Sequence, residues 1–164
     1  MAIFSQNKID MPCYQINIKG LPKLLAKFED GYLTSLEPSN LSIKSVDLSK
    51  EALELKEDLQ KYVSRKLTNF RTKIHLKAKT SFQLSVWQEL LNIPYGQTRS
   101  YQDIAVSLGD AKKARAVGNA VNKNPILIII PCHRVIGKNG SLVGFAHGLK
   151  MKQTLLDIEN CSKH

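Results

Sequence analysis

The chain has 164 residues, 43% of them apolar, and a formal net charge of +10. That is enough for one or two small domains with a real core, and no apolar run approaches the length of a membrane span. Its three cysteines (Cys13, Cys132, Cys161) are odd in number and lack metal-ligand spacing, which argues against a disulfide framework or a zinc site and for reduced thiols. Residues 1–10 lack the apolar centre of a signal peptide, so a cytoplasmic location is expected, or a nuclear one if the source is eukaryotic.

Residues 12–37 alternate as strands do, in the runs Tyr14–Ile18, Leu24–Phe28 and Tyr32–Leu36. Lys19-Gly20 and Glu29-Asp30-Gly31 supply turns, which predicts a small antiparallel meander. Ser49 is placed to cap the next helix, with Glu51 in its first turn. Leu48, Ala52, Leu55, Leu59 and Tyr62 then recur at spacings of three and four, an amphipathic stripe. No chemistry is evident in this half, where Cys13 and His75 stand alone. Residues 64–80 have little periodicity and read as a connection, dividing the chain into 1–78 and 79–164.

The second half opens with a helix from Ser81 to Leu91, capped by Ser81 and burying Phe82, Val86 and Leu90. Ile93-Pro94-Tyr95-Gly96 ends it. Residues 100–109 and 110–122 then read as helix, Gly-containing turn and helix, with Ile104, Ala105 and Leu108 facing Ala114, Val117 and Val121. The second of these helices is basic outside (Lys112, Arg115) and rich in small residues (Ala111, Ala114, Ala116, Gly118, Ala120). Such residues allow close approach of a backbone, whether of another helix or of DNA. Residues 135–145 resemble a hairpin turning at Asn139-Gly140, so that helix-turn-helix plus hairpin makes a winged helix with Lys138 on the wing. A last helix, over 148–160, is expected to bury Leu149, Leu155, Leu156 and Ile158. Glu159 in its last turn opposes the helix dipole and needs another reason to be there.

The stretch that organises the chain is 126–135. Five apolar residues lead to Pro131, which has no N–H and stops regular pairing, and then to a thiol beside an imidazole, Cys132-His133. By spacing alone this is a nucleophile on a rigid support or a core strand with an incidental cysteine. Between Arg99 and Lys138 seven Lys or Arg (Arg99, Lys112, Lys113, Arg115, Lys123, Arg134, Lys138) stand against two acids (Asp103, Asp110). A basic field concentrated around the reactive pair points to nucleic acid.

Ile130-Pro131-Cys132-His133-Arg134-Val135 resembles the active-site signature of the O6-alkylguanine-DNA alkyltransferases, the methylated-DNA–protein-cysteine methyltransferases. The resemblance extends over Ile93-Pro94-Tyr95-Gly96, Ser100-Tyr101, Ala114-Arg115-Ala116-Val117-Gly118, Asn124-Pro125, Gly148-Leu149 and Glu159, and is only loose before residue 80. It implies a ribonuclease H-like α/β domain, a small antiparallel sheet plus helix, followed by a mainly α winged helix-turn-helix domain. It also implies direct, single-turnover repair of O6-methylguanine, and less so O4-methylthymine, in double-stranded DNA by a monomer that needs no metal or diffusible cofactor. Cys132 would accept the alkyl group, and His133, through a water, would take the thiol proton. Glu159 would orient His133, Tyr101 would protonate the departing guanine, and Asn124 would brace the turn into the active-site loop. Arg115 would fill the space of the flipped nucleotide, while Lys112, Lys113, Ala114, Ala116, Gly118, Asn119 and Lys138 would face DNA. Pro131, Val135, Phe145, Ala146 and His147 would line the pocket, the carbonyls of Cys132 and Val135 reading the guanine amino group. Phe145-Ala146-His147 departs from the family's Tyr-x-Gly, and the added bulk predicts slow reaction with large adducts. A non-catalytic damage-binding protein of the same fold would have no use for Cys132, His133 and Glu159 together. A cysteine hydrolase or a plain winged-helix transcription factor would leave, respectively, the basic helix or the Cys-His pair unexplained.

Overall fold

The computed structural model describes residues 11–44 and 47–159, so Cys161, Asn160 and the stretch 1–10 lie outside the described residues. Strands β1 (Cys13–Ile16), β2 (Leu24–Glu29) and β3 (Tyr32–Pro38) form the expected antiparallel meander in the order β1-β2-β3. Asp30 and Gly31 both take positive φ (49° and 80°) between the paired Glu29 and Tyr32, the conformation that makes Asp-Gly a two-residue hairpin turn. Helix α1 (Lys50–Val63) is capped by Ser49, whose side chain accepts from the Ala52 N–H, and it buries Ala52, Leu55, Leu59 and Tyr62 completely.

The connection after α1 is pinned rather than loose. Arg71 donates through Nε and Nη2 to the buried Asp58 carboxylate, and Leu33 of β3 exchanges backbone hydrogen bonds with Lys73 and His75. Helix α2 (Ser81–Leu91) has the expected bounds, but its cap lies one residue before Ser81. Thr80 is the cap, in extended backbone, with its hydroxyl accepting from the Gln83 N–H, while Ser81 is the first helical residue. Thr80-x-x-Gln83 is itself a capping signature.

Strand β4 (Arg99–Ser100) leads into α3 (Tyr101–Ser107), capped by a reciprocal Ser100–Asp103 pair. A single 3-10 turn at Ala111–Lys113 precedes α4 (Ala114–Asn122), so the second helix of the pair is shorter than expected. Its buried face, Val117, Ala120 and Val121, packs on α2 and α3, and Trp87 Nε1 donates to the Ala120 carbonyl at 2.8 Å. After a 3-10 turn at Cys132–Arg134, strand β5 (Val135–Ile136) pairs parallel with β4.

The expected hairpin over 135–145 is therefore not a paired one. Lys152 Nζ donates to the carbonyls of Val135 and Val143, and the Tyr101 hydroxyl to those of Val143 and Gly144. Side chains thus occupy carbonyls that a returning strand would present, and only the turn at 137–141 remains. Helix α5 (Leu149–Ile158) buries Lys152, Leu155 and Leu156; Leu149 is exposed and Ile158 half-buried, contrary to the sequence expectation. The polar exception on this stripe is Lys152, fully buried three and four residues before the two leucines. One hydrophobic core joins both halves, with Ile16, Leu36 and Leu59 in the same cluster as Val86, Ile104, Ile126 and Leu155.

Caps give a direct check. Thr80→Ala should cost about 1 kcal/mol in urea unfolding, as should Ser49→Ala, whereas Ser81→Ala should change stability by a few tenths at most.

Candidate active site

The apolar run 126–130 is neither strand nor helix. Ile126 makes one parallel bridge to Leu36 of β3, with Leu36 N–H donating to the Pro125 carbonyl and Leu127 N–H to that of Leu36. The chain then tightens twice. Ile129 N–H donates back to the Leu127 carbonyl across Ile128, which has φ 73°, and Cys132 N–H donates to the Ile130 carbonyl across Pro131 (φ −81°, ψ 63°). These are two γ-turns: the second has the common inverse geometry that Pro tolerates, and the first the strained hand. A β-branched residue in the left-handed region costs about 1–3 kcal/mol. Complete burial of Ile126, Ile128 and Ile130 holds it.

Asn124 clamps this coil from inside. Its Nδ2 donates to the Ile130 carbonyl at 2.8 Å and its Oδ1 accepts from the Ile126 N–H at 2.9 Å. Cys132 is 5% exposed. Burial pushes its thiol up to about 11, against the pull of a hydrogen bond from Asn124 and the charge of Lys152. A thiol so held needs a base before it can act as a nucleophile.

His133 and Glu159 meet with no exposed side-chain surface, Nε2 lying 2.7 Å from Oε1. A carboxylate oxygen only accepts, so Nε2 carries the proton and Nδ1 has the free lone pair. Nδ1 is buried and has no hydrogen-bond partner among the described residues. Burial lowers the His133 pKa and outweighs the stabilising effect of Glu159, which keeps the ring neutral. Glu159 is the C-cap of α5, and its place there is explained by what surrounds it. It accepts from Tyr62 Oη (2.6 Å), His133 Nε2, Arg134 Nε (2.8 Å) and Nη2 (2.9 Å) and the Gly96 N–H (3.2 Å). Burial alone would raise its pKa, but the bonds from His133 and Arg134 hold it well below the usual carboxylate value.

Three side chains here carry no signal that the sequence reading used. Arg134, counted there in the basic field, is 6% exposed and committed to Glu159 and the Ile93 carbonyl. Lys152 sits with Nζ near the rings of Tyr101 and Phe145, at 5.7 and 5.9 Å from their centroids, and burial lowers it to about 8. Tyr62 comes from α1, in the half judged free of chemistry. Only Lys152 had a visible clue, a charge inside an apolar stripe.

The remaining candidates fall into two groups. Lys112, Lys113, Arg115, Ala116, Asn119 and Lys138 are exposed, with Ala114 and Gly118 half-buried on the same helix. A side chain at Gly118 would meet only the Tyr101 ring, at 3.8 Å, so packing within the protein does not demand glycine there. Pro131 and Val135 are buried, and the Val135 carbonyl already accepts from Lys152, leaving one lone pair. Phe145 and His147 are half-buried and stacked edge to face at 5.9 Å, while Ala146 is exposed. His147 belongs to a recess shared with Gly20, Pro22, Pro38, Lys150, Met151 and Thr154. No group of His, Cys, Asp and Glu able to hold a metal occurs among the described residues, and no helix there is long and apolar enough to cross a membrane.

A buried thiol, a neutral imidazole backed by a carboxylate and an exposed basic helix nearby define a protein that does cysteine chemistry beside a polyanion. The profile of the family "6-O-methylguanine DNA methyltransferase, DNA binding domain" matches residues 81–161. A methylated-DNA–protein-cysteine methyltransferase of Methanosarcina barkeri is 45% identical over 143 residues, spanning 84% of this chain and 90% of that protein. The crystal structure of Mycobacterium tuberculosis O6-methylguanine methyltransferase superposes with a TM-score of 0.78 at 36% identity, over 93% of each chain. That of Mycobacterium tuberculosis OGT in complex with DNA gives 0.79 at 37% identity, over 88% of this chain and 90% of that one. The chain belongs to the methylated-DNA–protein-cysteine methyltransferase family.

The Glu159 network has a pH signature. Because its pKa is lower folded than unfolded, its contribution is complete above the unfolded carboxylate value of about 4.3 and is lost as pH falls below that. The stability gap between wild type and Glu159→Gln, by urea unfolding, should be constant above about pH 5 and narrow with further acidification.

Proposed function

We propose that this chain repairs DNA directly, moving the alkyl group from O6 of guanine onto its own Cys132, once and irreversibly. The observation that carries this reading is the buried pair that His133, next to Cys132 in the chain, makes with Glu159 at the end of α5, with Nδ1 of His133 left free to accept a proton. In the transfer, the sulfur forms a bond to the alkyl carbon as the carbon–O6 bond breaks. The thiol proton passes to His133 Nδ1 through a water, and Glu159 stabilises the imidazolium that forms. Guanine leaves as a neutral base if it is protonated as it departs. Tyr101 supplies that proton at N3, exchanging its bonds to the Val143 and Gly144 carbonyls for the base, and recovers it from solvent. Asn124 acts by holding the Cys132 turn in shape, and it draws the thiol pKa down against burial. The carbonyls of Cys132 and Val135 read the guanine amino group.

A stacked base cannot reach a thiol that is 5% exposed, so the nucleotide flips out of the duplex. Helix α4 enters the minor groove, Arg115 takes the vacated place in the stack, and Lys112, Lys113, Asn119 and Lys138 contact the strands. Ala114, Ala116 and Gly118 permit the close approach; the lack of any tight internal contact at Gly118 supports a role outward. The site serves O4-methylthymine less well. We read 1–78 as a ribonuclease H-like structural domain and 79–164 as a winged helix-turn-helix domain carrying the site, in a monomer. The packing of α3 on α4 and the turn at 137–141 support the second of these readings.

Incubation with duplex DNA bearing labelled O6-methylguanine should leave one label per molecule on Cys132, mapped by peptide mass spectrometry. Cys132→Ala should bind the same duplex and take none; label on Cys13 or Cys161 sinks the reading.

The lid sets adduct size. Phe145, Ala146 and His147 line the mouth of the pocket, and methyl reacts at the ordinary rate while benzyl is slow. His147→Gly should speed transfer from O6-benzylguanine several-fold with little change for O6-methylguanine; unchanged benzyl rates would refute the steric account.

A further inference from the structure

Tyr62 stands out in the whole molecule as a functional-looking group that the transfer scheme does not use. It is the last buried residue of the α1 stripe, 0% exposed, and its ring is fixed by Phe70 and Tyr95 at centroid distances of 5.5 and 6.0 Å. Packing alone would be served by phenylalanine. The hydroxyl, however, donates to Glu159 Oε1 at 2.6 Å, and its oxygen lies 3.4 Å from His133 Nε2. Oε1 is the same oxygen that accepts from His133. The phenol therefore competes with the imidazole for one acceptor.

We infer that Tyr62 is a positioning residue for alkyl transfer, contributed by the N-terminal half of the chain, whose hydroxyl sets how strongly Glu159 supports His133. The inference rests on the reading of Cys132 as the alkyl acceptor and His133 as its base.

Among the described residues, the titratable and charged groups facing this pair come from several elements. Arg134 and Cys132 lie on the same loop as His133, Lys152 comes from α5, Tyr95 from the turn after α2, and Tyr62 from α1. Arg134 holds Oε2 through Nε and reaches Oε1 through Nη2, so the carboxylate cannot turn away. Burial and the neighbouring Glu159 charge push the Tyr62 phenol well above its ordinary pKa, so it stays a donor throughout the working range. A donor on Oε1 draws negative charge away from His133. Imidazolium is then stabilised less, and the ring stays a neutral base at lower pH. Removing the donor has the opposite effect: more charge is available to His133, the ring protonates more readily, and the base is disabled at a higher pH.

The test is the pH profile of single-turnover transfer from labelled O6-methylguanine duplex to the full-length protein, from about pH 5 to about pH 9. Tyr62→Phe keeps the ring contacts and should move the acid limb up by about half a pH unit or more, the size expected for losing one donor on a carboxylate. DNA affinity should stay within about two-fold, so that the change is in rate and not in binding. Site-specific 3,5-difluorotyrosine at position 62 keeps the shape and sharpens the donor, and should move the limb down. Should Tyr62→Phe fail to fold, the fluorinated protein decides alone. Profiles that superimpose on wild type, whatever happens to the melting temperature, overturn the inference and leave Tyr62 as packing. Absence of label on Cys132 in the wild type would overturn the underlying reading instead.

Discussion

The carboxylate of Glu159 is the interaction on which the rest of the site depends. A buried anion is several kcal/mol unfavourable unless its oxygens are satisfied, and removing one partner of such a pair costs about 3–5 kcal/mol. Here the donors come from α1, from the turn after α2 and from the loop after Pro131, while the acid itself ends α5. One side chain thus ties together parts of the chain nearly a hundred residues apart. The carboxylate, itself held by Arg134 and the Gly96 N–H, in turn orients the imidazole through Nε2.

The thiol is fixed by a different means. The two γ-turns that deliver Cys132 are poor local structure, and the strained one is held by the apolar side chains around it, by the Asn124 clamp and by the Ile130 N–H donating to the Ile126 carbonyl. For the proposed transfer, rigid delivery keeps the thiol uncharged and out of solvent until a base arrives. Burial also gives the imidazole its neutrality and makes Lys152 a weak acid beside the thiol. Position and protonation state therefore have one cause, the exclusion of water, rather than two.

Much of this could be read from the residues. Strand alternation, the Asp30-Gly31 turn and the Ser49 cap follow from local rules, and the Cys132-His133 pair with a misplaced acid at Glu159 is visible as a pattern. What escaped was decided by tertiary contact. A lysine inserted between two carbonyl-bearing segments replaced a hairpin, which no local signal at 135–145 could announce. Arg134 looks like any surface cation until its acid partner is located, 25 residues away. Tyr62 is at a core position by period, and only the fold reveals that its hydroxyl has a partner. Thr80 was legible through Gln83 and lost only to the better-placed look of Ser81.

The bridge from β3 to the active-site loop has a consequence for solubility as well as for geometry. Leu33 and Leu36 would otherwise present unpaired N–H and C=O groups along the outer edge of the sheet, a template for strands of other molecules. That edge is taken up by Lys73 and His75 at one point and by Pro125 and Leu127 at the other. A substitution that lets the 125–127 segment peel away therefore does two things at once: it displaces the thiol, and it uncovers an adhesive border. In this fold, loss of repair and a tendency to aggregate should arise from the same lesions.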